Sequence, residues 1–123
     1  MTGDDLLARA DAAAQQAYAP YSKYLVGAAI LLKDGRVYEG CNVENAAYPL
    51  GVCAERTVIA KAASEGVRPG DIEAIAINAS PCGGCRQWLH EWKVERVWFR
   101  RGDGSIAEYA PAAELLPDTW DLP

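Results

Sequence analysis

The stretch Val26-Gly27-Ala28-Ala29-Ile30-Leu31-Leu32-Lys33-Asp34-Gly35-Arg36-Val37-Tyr38-Glu39-Gly40-Cys41-Asn42-Val43 decides the fold. Val26 to Leu32 is apolar without alternation, which suits a strand buried on both faces. Asp34-Gly35 is a strong hairpin signal, because both residues accept the positive φ that a tight turn needs. Arg36 to Val43 then returns as the partner strand. Val37, Glu39 and Cys41 fall on one face, and Tyr38, Gly40 and Asn42 on the other.

Helical patterns flank this hairpin. Thr2 is placed as an N-cap, with Asp5 in a capping-box position and Asp4 in the first turn. Leu6, Ala10, Ala13, Ala14 and Ala17 follow at helical spacing, and Ala19-Pro20 stops the helix. Asn45 to Gly51 reads as loop. Val52 to Glu65 reads as a second helix, with Val52, Thr57, Ile59, Ala60 and Ala63 supplying apolar surface and Gly66 closing it. Ile72 to Ala79 suits an interior strand, Cys82 to Trp92 a third helix and Arg96 to Arg100 a fourth strand. Asp103-Gly104 turns into a fifth strand near Ser105 to Tyr109, and a short helix spans Ala112 to Leu116. The order α-β-β-α-β-α-β-β predicts an α/β fold in three layers, α-β-α, around one mixed five-stranded sheet. The chain has 123 residues, which suits one domain over 1–123.

Composition narrows the function classes. With 17 acidic and 12 basic residues the formal charge is −5, against the broad basic surface that nucleic acid binding uses. No apolar run approaches the roughly 20 residues of a membrane span. The acidic start lacks the basic and apolar parts of a secretory leader, so a cytoplasmic protein is expected. In a reducing compartment four cysteines favour metal binding or chemistry over disulfides.

Three of those cysteines stand in a telling pattern: Cys53-Ala54-Glu55, then Pro81-Cys82-Gly83-Gly84-Cys85. Three thiolates can hold a zinc ion and leave its fourth tetrahedral position to water. Cys82 and Cys85 share a helix face, and helix N-termini favour thiolate over thiol. Glu55 has the offset to face the open position and move protons there. Zinc with three thiolates carries a net charge of −1, which weakens it as a Lewis acid. A guanidinium from Arg56 on a ligand sulfur would offset this. A CxxC alone also suits a redox dithiol, and a fourth sulfur from Cys41 would make a closed structural site. The Cys-Ala-Glu element and the proline before the CxxC favour the deaminase type of zinc site. Cys41 reads as a small buried strand residue. His90 reads as a surface or packing residue, Trp88 and Trp92 as a packing or contact stripe, and Arg100-Arg101 as a solvated pair.

Over nearly its whole length the sequence resembles the small cytidine deaminases of the tetrameric type. The resemblance rests on Ala19-Pro20-Tyr21-Ser22-Lys23, Val26-Gly27-Ala28-Ala29, Gly40-Cys41-Asn42-Val43-Glu44-Asn45-Ala46, Cys53-Ala54-Glu55-Arg56-Thr57, Pro81-Cys82-Gly83-Gly84-Cys85-Arg86-Gln87 and Glu114-Leu115-Leu116-Pro117. It implies hydrolytic loss of ammonia from cytidine and deoxycytidine in a cytoplasmic homotetramer, with Zn2+ as cofactor and a nucleoside as the small-molecule partner. It implies Cys53, Cys82 and Cys85 as zinc ligands and Glu55 as the acid/base. Asn42 and Glu44 match the pair that binds the ribose 3′-hydroxyl, Ala54 a backbone contact to the pyrimidine, and Tyr24 an aromatic wall of the pocket. Three departures bear on substrate range: the short segment Asn78-Ala79-Ser80, Leu25 where relatives have proline, and Trp120 where relatives have a phenylalanine. Blasticidin-type aminonucleoside deaminases share the cysteine motifs and rank second, and a non-catalytic structural zinc module is the alternative of a different class.

Overall fold

A computed structural model describes residues 1–122. Its elements are α1 (Gly3–Ala14), β1 (Gly27–Leu32), β2 (Val37–Cys41), α2 (Ala54–Ser64), β3 (Ile72–Ile77), α3 (Gly83–Glu91), β4 (Arg96–Arg100) and β5 (Ile106–Tyr109). Short 3-10 turns span Tyr48–Leu50 and Ala112–Leu115. The expected order is therefore observed. The strands form one sheet ordered β2-β1-β3-β4-β5. β3 and β4 pair in parallel, and the other neighbours pair antiparallel.

Strand alternation separates two packing faces. Ile30, Ile75, Ile77, Val97 and Phe99 point to the face covered by α2 and α3, where Val58, Ile59, Ala62 and Leu89 meet them. Ala29, Ala74 and Ala76 point the other way, under Leu6, Leu7 and Ala10 of α1. Alanine lets α1 lie close to the sheet. At Gly27 a β-carbon would stand 2.0 Å from the Ala10 carbonyl oxygen, so only glycine fits there. Thr2 and Asp5 form the predicted capping box, and Gly35 turns the hairpin at φ +95°.

Several boundaries differ from the sequence reading. α1 ends at Ala14, so Ala17 is outside it. The chain must leave the helix there because Tyr18 bridges to the end of β2, its N–H donating to the Asn42 carbonyl at 3.0 Å. α2 begins at Ala54, so Val52 precedes it, and its buried face is Ala54, Glu55, Val58, Ile59 and Ala62. Ala60 is exposed. The buried face is thus rotated from the expected one, because the helix turns Ala54 and Glu55 inward toward the cysteines and carries Val58 and Ala62 with them. Asn45 to Gly51 contains the turn Tyr48–Leu50, with a proline near its start.

Topology brings one edge of the sheet together. β2 and β3 both run antiparallel to β1, and β4 runs parallel to β3. The C-terminal ends of β2, β3 and β4 therefore lie at the edge where β1 begins. In open α/β sheets that edge commonly hosts ligands.

Candidate metal centre and substrate cleft

Cys53 is the N-cap of α2 and Cys82 the N-cap of α3, and neither side chain caps its helix. The sequence reading put both inside the helices. Cysteine is not a cap former, so its sequence carried no cap signal. Cys85 lies in the first turn of α3 and is fully buried. The three sulfurs lie within 4.8 Å of one another. Zinc–sulfur bonds of about 2.3 Å separate tetrahedral sulfurs by about 3.8 Å, so small rotations close this trio around one ion. Cys41 is not in the cluster, which removes the four-sulfur site from consideration.

Electrostatics favour a cation here. Burial pushes the Cys85 thiol well up, and the nearby Glu55 and Cys53 charges add to it. Cys82 is held below the usual thiol range although burial opposes this, because the backbone N–H groups of Cys85 and Gly84 stabilise its thiolate, as do the neighbouring thiols. Sulfurs and a carboxylate gathered so closely repel as anions, and a bound divalent cation relieves that repulsion.

Glu55, in the first turn of α2, is 3 % exposed and is the buried charged side chain among the described residues. Desolvation raises its pKa above the ordinary glutamate value, while its own backbone N–H, Cys85 and Arg56 oppose that rise. Arg56 donates from Nη2 to the Cys53 sulfur at 3.3 Å. That bond is the main reason its own pKa rises. Its buried Nε has no partner among the described residues.

The cluster opens into a cleft of about 580 Å³. Tyr24, Asn42, Glu44, Cys53, Ala54, Glu55 and Cys82 all line it, so the sequence-predicted residues converge there. Asn42 and Glu44 are also occupied within the protein. The Asn42 Oδ1 accepts the Val26 N–H at 2.9 Å, and its Nδ2 donates to the Tyr24 carbonyl at 2.9 Å. The Glu44 Oε1 accepts the N–H groups of Tyr21 and Ser22 at 3.0 and 3.1 Å, and Oε2 accepts the Ser22 hydroxyl. The Ser22 hydroxyl, with the backbone N–H groups, holds the Glu44 pKa below its ordinary value.

The cleft also contains Asn78, from the short segment that the resemblance ties to substrate range, and Arg100, Arg101 and Gly102, which the sequence reading did not place there. Arg100 is paired with Asp11 at 2.7 and 3.1 Å. For the hydrogen bonds that Asn78 makes, the sequence offered only a polar residue ending an apolar strand just before the Pro-Cys motif. Trp120 is exposed and outside the cleft lining. His90 meets Asp121 at 2.8 Å, and Trp88 and Trp92 pack partly against the core.

Comparison with known proteins supplies the family. Residues 2–101 match the cytidine and deoxycytidylate deaminase zinc-binding region. A cytidine deaminase of Sporosarcina psychrophila is 49 % identical over 98 % of this chain and 92 % of its own length. One from Mycobacterium tuberculosis is 47 % identical over 95 % of this chain and 88 % of its own. The crystal structure of cytidine deaminase from Burkholderia pseudomallei superposes with a TM-score of 0.90 at 42 % identity, covering 98 % of this chain and all of that one. The fold, the sulfur cluster and these matches agree that the cofactor is Zn2+. The chain belongs to the cytidine and deoxycytidylate deaminase family.

Proposed function

We propose that this chain is a zinc-dependent hydrolase that deaminates cytidine and deoxycytidine to uridine and deoxyuridine, with one ammonia released for each water consumed. The observation that carries the reading is the placement of buried Glu55 beside three sulfurs within 4.8 Å of one another, at the inner end of an open cleft. Cys53, Cys82 and Cys85 hold the metal. When bound, zinc supplies the Lewis acidity that makes water a nucleophile near neutral pH.

Glu55 carries the protons: it takes the two protons of the attacking water in turn, passing the first to N3 of the base and the second, from the hydroxyl then on C4, to the amine, which departs as ammonia. Burial suits it to this exchange, because a carboxyl with a raised pKa holds a proton closer to neutral pH. Arg56 draws electron density from the Cys53 sulfur. Ala54, the first helical residue of α2, offers a backbone N–H that the helix does not use. Asn42 and Glu44 bind the sugar, each through hydrogen-bonding capacity left over from its internal contacts, and the Tyr24 ring forms a wall of the cleft.

The sequence acts as one domain, 1–123, in a cytoplasmic homotetramer. Four free cysteines fit a reducing compartment. The exposed apolar side chains of Tyr18, Val43, Tyr48, Leu50 and Val52 support assembly. The test is the ultraviolet change and ammonia release when zinc-loaded protein meets cytidine and deoxycytidine. Turnover of neither, in protein that holds zinc, defeats the reading.

A further inference from the structure

The wall of the cleft nearest Tyr24 is not built as ordinary strand. The β1–β2 ladder ends at Gly27 paired with Cys41, and the β1–β3 ladder at Ala28 paired with Ile77. Before that point Tyr24, Leu25 and Val26 lie outside the strand. Past the ladders one main-chain bond remains on each side, from the Asn42 N–H to the Val26 carbonyl at 3.0 Å and from the Asn78 N–H to the Gly27 carbonyl at 3.3 Å, and two asparagine side chains add to them. From just beyond β2, Asn42 binds the Tyr24 carbonyl and the Val26 N–H, each at 2.9 Å. From just beyond β3, Asn78 accepts the Gly27 N–H at 3.0 Å and donates to the Leu25 carbonyl at 3.3 Å. Each amide thus pairs with a carbonyl and with the N–H two residues later, from opposite sides of the segment.

We infer that Asn78 is a positioning residue for substrate binding: its side-chain amide holds Leu25 to Gly27 in place and, through them, the Tyr24–Val26 wall of the cleft. The amide suits this because the job needs one donor and one acceptor on a short side chain. Aspartate keeps the acceptor and puts a carboxylate against the Leu25 carbonyl. Alanine and leucine lose both bonds and leave a backbone N–H without a partner.

The segment needs such a hold. Lys23 just before it sits at φ 61°, in the left-handed region that disfavours ordinary side chains. At the far end Gly27 is wedged against α1. Asn78 itself lines the cleft and is half-buried. It touches none of the three sulfurs through the hydrogen bonds it makes. Its influence therefore falls on how substrate is seated and not on the chemical step.

The inference rests on the proposed deaminase reading for its probe, cytidine. The experiment compares zinc-loaded unmodified protein with Asn78→Ala, Asn78→Asp, Tyr24→Ala and the Asn78→Ala/Tyr24→Ala double variant. Asn78→Ala should raise KM about tenfold and change kcat less than about threefold, with zinc content kept. Asn78→Asp, which retains one of the two bonds, should fall between alanine and the native residue. In the double variant the KM increase should be smaller than the product of the single increases, because both changes disturb one wall. The same comparison by calorimetric titration of cytidine into the Glu55→Gln background reads binding without turnover, and Asn78→Ala should weaken Kd there by a similar factor. If Asn78→Ala does not fold, Asn78→Asp carries the test. An unmoved KM and Kd, a loss confined to kcat, or full multiplicativity with Tyr24→Ala overturns the positioning role. Failure of the unmodified zinc-loaded protein to turn over cytidine overturns the deaminase reading instead.

Discussion

The two ends of the cleft are built by different means. At the inner end, Cys53, Cys82, Cys85 and Glu55 sit on the first turns or N-caps of two helices that lie on the packed core. At the outer end, Tyr21 to Gly27 are held by side chains reaching from three other places, Asn42, Glu44 and Asn78. The difference teaches where precision comes from. In the proposed reading chemistry sits on rigid helix starts, where backbone dipoles also favour anionic ligands. In the same reading recognition sits on a segment whose shape depends on borrowed hydrogen bonds. Damage at the inner end should therefore read in metal content and kcat, and damage at the outer end in KM.

The harshest test of that division is Cys85→Ser. Cys85 is fully buried and supplies one of the three sulfurs, so zinc should be lost on gel filtration and activity should fall below detection. Metal analysis alongside the assay checks it, and a variant that keeps both zinc and turnover breaks the comparison. Glu55→Gln comes next. It should keep zinc and lower kcat by about 10²–10⁴, the usual worth of a general acid–base group. Arg56→Gln is milder. It removes the charged donor on the Cys53 sulfur and should cost about 10- to 100-fold in activity or zinc affinity, as outer partners of metal ligands usually do. A competition titration with a chelator, run beside the assay, separates the two costs.

The same division explains what the sequence revealed. The inner end was legible because its signals are short-range: a CxxC, a Cys-Ala-Glu and a proline fix helix starts and sulfur spacing. The capping box at Thr2 and the turn at Gly35 were legible for the same reason. The strand order was not, because nothing local in β3 says that it lies between β1 and β4. Nor was the end of α1, where Ala17 still fits the helical pattern and only the distant partner of Tyr18 stops it. The outer wall was half-legible. Asn42 and Glu44 were found through the resemblance, but their grip on residues 21 to 26 joins positions far apart in sequence. The hold of Asn78 on Gly27 and the pairing of Arg100 were missed because their partners are equally remote.

The smallest expected effect belongs to Glu44, and its sign can be worked out. Its carboxylate is held by the Ser22 hydroxyl and by two backbone N–H groups, which lower its pKa in the folded protein. A carboxyl with a depressed folded pKa contributes its hold fully above its unfolded value, about 4.3, and loses it as pH falls through the lower folded value. The clamp is therefore complete around neutral pH and lost only at acid pH below the ordinary glutamate range, and KM should show no Glu44 titration near neutrality. Glu44→Gln keeps an oxygen for the two backbone N–H groups and turns the Ser22 contact around, since the hydroxyl can accept from the amide. KM should rise by only about two- to fivefold at neutral pH, with zinc content and kcat near the native values. Glu44→Ala removes the whole grip and should raise KM further. A steady-state pH series on the native protein and both variants checks the ordering. If Glu44→Gln lowers kcat as strongly as Glu55→Gln does, the outer wall takes part in the chemistry and the two ends of the cleft are not separable.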